Sequence, residues 1–337
     1  MANREEVENE EYEKLKNSKF KQQKLPGWRP VPTIKSTTII FLCFGVVFII
    51  LGVIILVFSN KIVEESIRYD EECKKQINKR REDNGGAITD GDNHCYITFD
   101  IKKDMEKTIM IYYQLNGFYQ NHRRYDKSKS DDQLNGKDIS KAAMQDSQDC
   151  DPAVTNGEMN KNKSVTGDDL NPDDLAIPCG LIAKSYFNDD FKEWQIIQVD
   201  EDFDTPINFN PDCKDIAWKA DKELKYKNVD LKKQWINMED EHFIVWMRPA
   251  GLPNFRKLWG RIKDRDLKKG SKVKVKVYDN FDVSSFNGQK YLILSTVNAF
   301  GGKNSFLGIS YIVLGSISII LAIVFIIGYN IHSKKNK

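Results

Sequence analysis

The chain has 337 residues, which is enough for one or two domains. It contains 51 lysines and arginines against 49 aspartates and glutamates, so its formal net charge is only +2. A nearly balanced charge argues against a nucleic-acid-binding protein, and we expect no nucleic-acid partner.

Two apolar runs without a charged side chain lie near the two ends of the chain, at residues 38–58 and 306–329. A helix of about 20 residues crosses a hydrocarbon core of ~30 Å, whereas apolar core helices of soluble proteins are usually shorter. We therefore predict membrane spans at residues 37–59 and 306–329. Because a long, partly acidic segment precedes the first run, we expect an uncleaved anchor and not a signal peptide.

The positions of the cysteines predict which side of the membrane each part occupies. Cys43 lies in the first span, and all other cysteines lie between the spans, at Cys73, Cys95, Cys150, Cys179 and Cys213. Thiols confined to one region suggest an oxidising compartment, and Asn162 begins a glycosylation sequon there. We therefore place residues 60–305 in the lumen or outside the cell, and residues 1–36 and 330–337 in the cytosol.

The N-terminal tail divides into an acidic part, residues 5–13, and a basic part, residues 14–35. Pro26, Pro30 and Pro32 exclude a continuous helix in the basic part. We expect this part to run extended along the membrane face, with an aromatic side chain, Trp28, at the membrane interface.

Short segments between the spans alternate apolar and polar residues, as strands with one buried face do. Residues 95–101 place Ile97, Phe99 and Ile101 on one face, and residues 272–278 alternate valine with lysine. Further strands are predicted at residues 109–115, 194–199, 242–247 and 291–297. Several short strands without regular intervening helices favour a large β-rich domain that resembles an antiparallel sandwich.

One helix is predicted in this domain, because Phe255, Leu258, Trp259 and Ile262 have the i, i+3, i+4, i+7 spacing of a helix face. Such a stripe either packs on its own sheet or binds a partner, and we favour packing. Residues 126–175 are rich in Asp, Asn, Lys and Ser, which predicts a long surface excursion that carries the sequon.

No motif in the sequence indicates catalysis or a cofactor. The chain lacks Gly-x-x-x-x-Gly-Lys-Ser/Thr, Asp-Lys-Thr-Gly, His-Glu-x-x-His and Cys-x-x-Cys. A nucleophile and its base need only be close in space, so the pattern alone does not exclude a catalytic site. We predict a protein that is not an enzyme and has no cofactor or metal.

The densest polar cluster is Tyr-Gln-Asn-His-Arg-Arg-Tyr at residues 119–125. Arginine offers a planar fork to carboxylate or phosphate, so one interpretation is a site for an anionic group of a partner. The other is a hydrogen-bond network that fixes a loop on the sheet, and we favour this second interpretation.

The spans themselves suggest docking. They carry small residues that let helices approach closely in lipid, namely Gly45, Ser59, Gly308, Ser310, Gly315, Ser316 and Ser318. Since neither span contains a charge, neither is typical of an ion or substrate path.

Eight stretches and the single residue Ser185 occur in one order along nearly the whole chain, the stretches at residues 20–28, 118–125, 132–136, 178–183, 187–189, 243–248, 252–258 and 301–308. In sequence and order they resemble the cell-division-control protein 50 (ligand-effect modulator) family. The resemblance implies a non-catalytic β-subunit that forms a heterodimer with a type IV P-type ATPase, the catalytic α-subunit that moves phospholipid between leaflets. It also implies a role in the folding, export from the endoplasmic reticulum and activity of that ATPase.

Further expectations follow from the resemblance alone. They include contact with membrane lipids, a location in the endoplasmic reticulum, Golgi or endosomes and plasma membrane, and disulfides Cys73–Cys95 and Cys150–Cys179, with Cys213 left over. Many members have four cysteines just after the first span, where this chain has two, so a second bridge there is in doubt. The candidate partner-binding residues are Phe20, Lys24, Leu25, Pro26, Trp28, Asn121, His122, Arg123, Arg124, Tyr125, Gly301, Gly302, Lys303 and Asn304.

Two other functions would fit a domain anchored by two spans. One is a lumenal hydrolase, which requires an acid–base or metal constellation. The other is a surface receptor or adhesion protein that acts alone. Co-purification of a large ATPase would separate the accessory subunit from both.

Overall fold

The computed structural model describes residues 12–25, 27, 32–83, 93–197 and 206–335. The chain divides into two compact units. One unit contains the chain up to Leu56 and from Phe306 onward, and the other is Val57–Ser305.

Two long apolar helices, Ile34–Asn60 and Ser305–Lys335, provide most of the first unit. Within the described residues, only Ile34–Asn60 and Ser305–His332 are long and apolar enough to cross a membrane. In each, 11% of the most apolar window is buried, whereas the core helix of a soluble protein would be mostly buried. The prediction of two membrane-spanning helices is confirmed.

Glycines form the closest contacts between these two helices. A Cβ atom added at Gly315 would lie 2.8 Å from the carbonyl oxygen of Gly45, and one added at Gly52 would lie 2.8 Å from that of Gly308. The two glycine pairs are about two helical turns apart, so they bring the backbones together along one face of each helix. Gly45, Gly308 and Gly315, which we assigned to docking, thus pack inside the chain.

The second unit contains two four-stranded sheets in the part of the chain that the structure describes. Their strand orders are β1-β8-β3-β6 and β2-β7-β4-β5, and every pairing is antiparallel. The strands are β1 Glu64–Arg68, β2 His94–Asp100, β3 Ile109–Asn116, β4 Asp190–Ile197, β5 Ile207–Phe209, β6 Phe255–Ile262, β7 Lys272–Tyr278 and β8 Gln289–Thr296. Side chains from both sheets join one buried core, which confirms the β-rich antiparallel domain.

The alternation in β2 and β7 is as predicted. Ile97 and Phe99 are buried while the residues beside them in β2 are exposed. In β7 the valines are buried, and its lysines are exposed or half-buried.

Short helices connect the strands. They are Asp70–Asp83, Arg123–Lys127, Asp131–Leu134, Lys141–Ser147, Asn156–Met159, Leu181–Lys184, Lys219–Leu224 and Glu241–Met247, with a 3₁₀ turn at Ser284–Phe286. Residues 126–175 are more than a surface excursion, because this stretch contains several of these helices and buries Leu134, Met144 and Met159 in the core.

The predicted helix at residues 255–262 is wrong, because these residues form β6. The register between β3 and β6 shifts at Ile111 and Tyr112, which leaves Trp259 as the extra residue of a β-bulge. Beyond the bulge the buried face moves by one residue, so Phe255, Trp259 and Ile262 are all buried at a spacing that resembles a helix face. Leu258, the fourth residue of the predicted stripe, is only half-buried.

The predicted strand at residues 242–247 is also wrong. The chain there forms the helix Glu241–Met247, whose N-cap is Asp240. The backbone N–H of Phe243 donates to the Asp240 carboxylate at 3.1 Å, which satisfies one of the free donors at a helix start. Burial of Phe243 and Trp246 holds the helix against the core.

Candidate partner-binding surfaces

The described part of the N-terminal segment is helical at residues 12–17 and then turns. The N–H of Gln22 donates to the Ser18 carbonyl at 2.9 Å, and that of Lys24 donates to the Lys19 carbonyl at 2.7 Å. These bonds show that the segment is not extended here, contrary to our expectation. Pro26 and Trp28 lie outside the described residues.

Several apolar side chains of this segment are exposed, and two of them lie within residues 20–25 beside basic residues. Phe20 is 76% exposed and Leu25 is 58% exposed. Lys24, between them, is exposed as well. Exposed apolar side chains next to a lysine suit a partner surface that is apolar and flanked by anionic groups. We call residues 20–28 the strap.

The loop after β3 is fixed to the segment before β6 by side-chain amides. The N–H of Ala250 donates to the carbonyl oxygen of the buried Gln120 side chain at 2.9 Å. The side-chain amide of Asn121 donates to the Gly251 carbonyl at 2.9 Å. Gln120 and Asn121 therefore act as the structural network that we favoured.

Tyr125 faces the interior from the same loop. Its ring meets that of Phe118 edge-on at 5.9 Å between centroids. Its hydroxyl is 2.7 Å from the hydroxyl of Ser185, and burial raises the pKa of Tyr125 to about 12. The phenol is thus a neutral structural group at physiological pH.

The other members of the polar cluster are exposed. His122, Arg123 and Arg124 all present their side chains to solvent. Within the described ranges, no acidic side chain forms an ion pair with Arg123 or Arg124. The cluster therefore has two parts. One is hydrogen-bonded to the rest of the unit and has the buried Gln120 at its centre, and the other is an exposed basic part that an anionic partner group can reach.

The loop before the second membrane helix is fixed to the end of the first. The N–H of Gly301 donates to the Asn298 carbonyl at 2.9 Å, and the Asn298 side-chain amide donates to the Phe58 carbonyl at 2.8 Å. Gly301 has a φ of +97°, a region that favours glycine. The N–H of Asn304 donates to the Ser59 hydroxyl at 3.0 Å. Gly302 and Lys303, the remaining candidates in this loop, are exposed.

Two disulfides stabilise the β-rich unit. Cys73–Cys95 joins the helix Asp70–Asp83 to β2, and Cys150–Cys179 closes a second loop. These are the pairs that the resemblance implies. Cys213 belongs to neither, and burial raises the pKa of its thiol to about 11. A thiol with so little thiolate is a poor nucleophile.

The sequon asparagine is accessible. Asn162 is exposed, while Ser164 is buried. The Asn162 carbonyl accepts a hydrogen bond from the Leu170 N–H at 2.9 Å, which holds the backbone of the sequon in place. Use of the site stays a prediction.

One exposed aromatic site is missing from our sequence predictions. Trp218 is 66% exposed, and the guanidinium carbon of Arg248 lies 4.3 Å from its ring centroid. Leu252 is exposed as well. A tryptophan is normally expected inside, so the sequence carries no signal that this one is outside.

The sequence model of the LEM3 (ligand-effect modulator 3) / CDC50 family matches residues 55–335. The chain is 39% identical over 338 residues to ALA-interacting subunit 3 of Arabidopsis thaliana, covering 95% of the chain and 87% of that protein. It is 36% identical over 344 residues to Cell cycle control protein 50A of Mus musculus, covering 92% and 88%. With Cell cycle control protein 50B of Homo sapiens it is 30% identical over 346 residues, covering 93% of each.

Proposed function

Because the chain belongs to the LEM3 (ligand-effect modulator 3) / CDC50 family, we propose that it is a non-catalytic accessory subunit of a phospholipid-translocating P-type ATPase. The observation that carries this proposal is the match along residues 55–335, together with a relative that is named an interacting subunit. The partner is a type IV ATPase, the catalytic α-subunit, in a one-to-one heterodimer. The accessory subunit supports its folding, its export from the endoplasmic reticulum and its activity.

The disulfides support the orientation that we propose. Both bridges lie between the two membrane helices, in the unit Val57–Ser305. Disulfides persist in oxidising compartments, so this unit faces the lumen or the outside and both tails are cytosolic. The complex then travels through the endoplasmic reticulum, Golgi or endosomes and plasma membrane.

Three surfaces hold the ATPase in this proposal. They are the outer faces of the membrane helices, the exposed Arg123 and Arg124, and the strap. Because the glycines are used between the two helices of the chain, the ATPase contacts other faces, which carry large apolar side chains such as Phe44 and Ile320. Contacts that are linked in one chain raise one another's effective concentration, so each can be weak alone.

Co-purification tests the proposal. The tagged full-length chain is isolated from its own cells in mild detergent, and we expect a large multispan ATPase in equimolar amount. The double variant Arg123→Glu/Arg124→Glu should recover several-fold less ATPase, because it repels the anionic groups that the wild type attracts.

The matched control is Lys268→Glu/Lys269→Glu, a second exposed adjacent basic pair in the same unit. It makes the same change in charge and should leave recovery unchanged. A wild-type chain recovered without any ATPase would contradict the accessory role. Equal losses in both double variants would instead remove Arg123 and Arg124 from the contact.

A further inference from the structure

A cavity of about 430 Å³ lies in the β-rich unit beside the point where the first membrane helix ends. Phe58, in the last turn of the helix Ile34–Asn60, forms part of its wall. The edge strand of one sheet begins just after the helix, and Ile62 and Val63 contribute further apolar wall. The volume lies within the range of small-ligand sites in proteins, about 300–1,000 Å³.

The rim of this cavity carries charges of both signs. Lys61 and Lys107 contribute ammonium groups, and Asp104 and Glu106 contribute carboxylates. Within the described residues, none of these four side chains takes part in an ion pair. The Lys61 ammonium lies 5.6 Å from the centroid of the Phe58 ring. One oxygen of Asp104 accepts from the backbone N–H of Lys269 at 2.7 Å, which fixes the direction of that carboxylate.

Because the ammonium groups and the carboxylates of this cavity do not pair with each other, a ligand can bind to groups of either charge. A ligand with a separated anion and cation can satisfy both, the anion at the lysines and the cation at the carboxylates. The hydroxyl of Thr108, also in the lining, adds a hydrogen-bonding group. A purely anionic ligand would meet repulsion from Asp104 and Glu106.

The end of the first membrane helix places this cavity near the lipid headgroups. An apolar helix of this length leaves the hydrocarbon core at its last turn, which contains Phe58. Phe300 is 63% exposed and lies 5.3 Å from Phe58 between ring centroids, so it adds apolar surface at the same level. Charged side chains just beyond the helix, such as Lys61, then lie at headgroup level.

We propose that this cavity binds the headgroup of a zwitterionic phospholipid, with its phosphate at Lys61 and Lys107 and its ammonium at Asp104 and Glu106. The site belongs to this chain and not to its ATPase. The inference rests on the membrane placement that the proposed function uses, but not on the identity of the ATPase. A failure to co-purify an ATPase would leave it intact.

Lipid binding to the full-length chain in detergent tests the inference. The probes are phosphatidylethanolamine and phosphatidylglycerol with identical acyl chains, and native mass spectrometry measures the bound fraction. Lys107→Gln should weaken binding of both lipids about tenfold, because both carry the phosphate. Glu106→Gln should weaken phosphatidylethanolamine about tenfold, because its ammonium group loses a carboxylate. The same variant should bind phosphatidylglycerol at least as tightly as the wild type does, because this anionic headgroup loses a repulsive neighbour.

Lys103→Gln is the matched control, an exposed lysine on the same loop that does not line the cavity, and it should bind as the wild type does. The four charged side chains of the rim are exposed, so replacing one of them should not change the unfolding temperature of the protein. Binding that neither Lys107→Gln nor Glu106→Gln alters would overturn the site. Equal weakening of both lipids in Glu106→Gln would overturn the zwitterionic assignment.

A soluble headgroup separates a lipid from a free phosphoester. Glycerophosphoethanolamine lacks acyl chains, so we expect it to displace the lipid only at millimolar concentration. Displacement at micromolar concentration would show that a soluble phosphoester is the ligand, and would overturn the lipid assignment.

Discussion

Lys290 and Asp189 form an ion pair inside the β-rich unit, with 2.7 Å between the ammonium nitrogen and a carboxylate oxygen and with side chains only 1% and 0% exposed. Lys290 also contacts the Asp279 carboxylate and donates to the Phe281 carbonyl at 2.6 Å. The hydroxyl of Tyr69 donates to Asp189 at 2.6 Å. Lys290 belongs to β8 of one sheet, whereas Asp189 directly precedes β4 of the other, so the pair links the two sheets.

Removing one partner of this pair should destabilise the unit strongly. Lys290→Met leaves the Asp189 carboxylate buried without its cation, which typically costs about 3–5 kcal/mol. The midpoint of thermal unfolding of the full-length protein measures the loss. Lys192→Met, which removes the exposed pair between Lys192 and Asp190, is the control and should cost at most about 1 kcal/mol. Similar losses in both variants would contradict the role of the buried pair.

The glycine contacts between the membrane helices should not tolerate larger side chains. A Cβ at Gly315 would lie 2.8 Å from the Gly45 carbonyl oxygen, whereas one at Gly328 would have no atom within 4 Å. Gly315→Val should therefore separate the helices and lower the midpoint of thermal unfolding in detergent, while Gly328→Val in the same helix should not. A fall of equal size in both variants would show that helix propensity, and not packing, is responsible.

Strands with one buried face can be predicted from the sequence alone. In β7, Val273, Val275 and Val277 alternate with lysines, and this pattern does not depend on any distant residue. β6 cannot be predicted in the same way, because its bulge at Trp259 arises from its pairing with β3. The helix Glu241–Met247 consists mostly of residues that favour strands, but its cap and burial decide its conformation.

The polar cluster at residues 119–125 shows a similar limit for the candidate site. Composition identifies the cluster, but it does not show that Gln120 is buried and Arg123 exposed. That division depends on backbone groups of Ala250 and Gly251, which the fold brings close from a distant part of the sequence.

The disulfides should stabilise the unit that contains them. Cys73–Cys95 and Cys150–Cys179 join residues separated by 22 and 29 positions. Closing loops of this length contributes about 3 kcal/mol each in the chain-entropy model. Cys73→Ser should therefore reduce export from the endoplasmic reticulum, measured as the fraction of protein that reaches later compartments. Non-reducing peptide mapping that joined Cys213 to any of these four cysteines would disprove the pairing.

The sequon tests the orientation of the chain. Since Asn162 is exposed and we place it in the lumen, the wild type should lose one glycan mass on treatment with a glycosidase. Asn162→Gln should remove that step and leave co-purification of the ATPase unchanged, because the exposed asparagine side chain has no hydrogen-bond partner within the described residues. A wild-type protein without the mass step would contradict the predicted glycosylation.

The strap should affect the turnover of the ATPase more than its assembly. Phe20 and Leu25 are exposed beside Lys24, so the strap can contact an apolar surface flanked by acidic groups or acidic lipid on the cytosolic side. Because the membrane helices and the lumenal unit remain, deletion of residues 1–28 should leave export and co-purification largely intact. The rate of lipid-stimulated ATP hydrolysis should change, since the strap belongs to a cytosolic tail that can reach the moving cytosolic domains.

Purified complexes with matched amounts of intact heterodimer provide this measurement, full-length against truncated. The variant Phe20→Ser/Leu25→Ser keeps the length and charge of the tail and removes only the exposed apolar side chains that the structure describes in the strap, so it should reproduce the effect of the deletion. If the double variant behaves as the wild type while the deletion changes the rate, then the charge or length of the tail is responsible and not its apolar contact. Equal rates in all three complexes across a range of lipid concentrations would show that the strap is a passive linker.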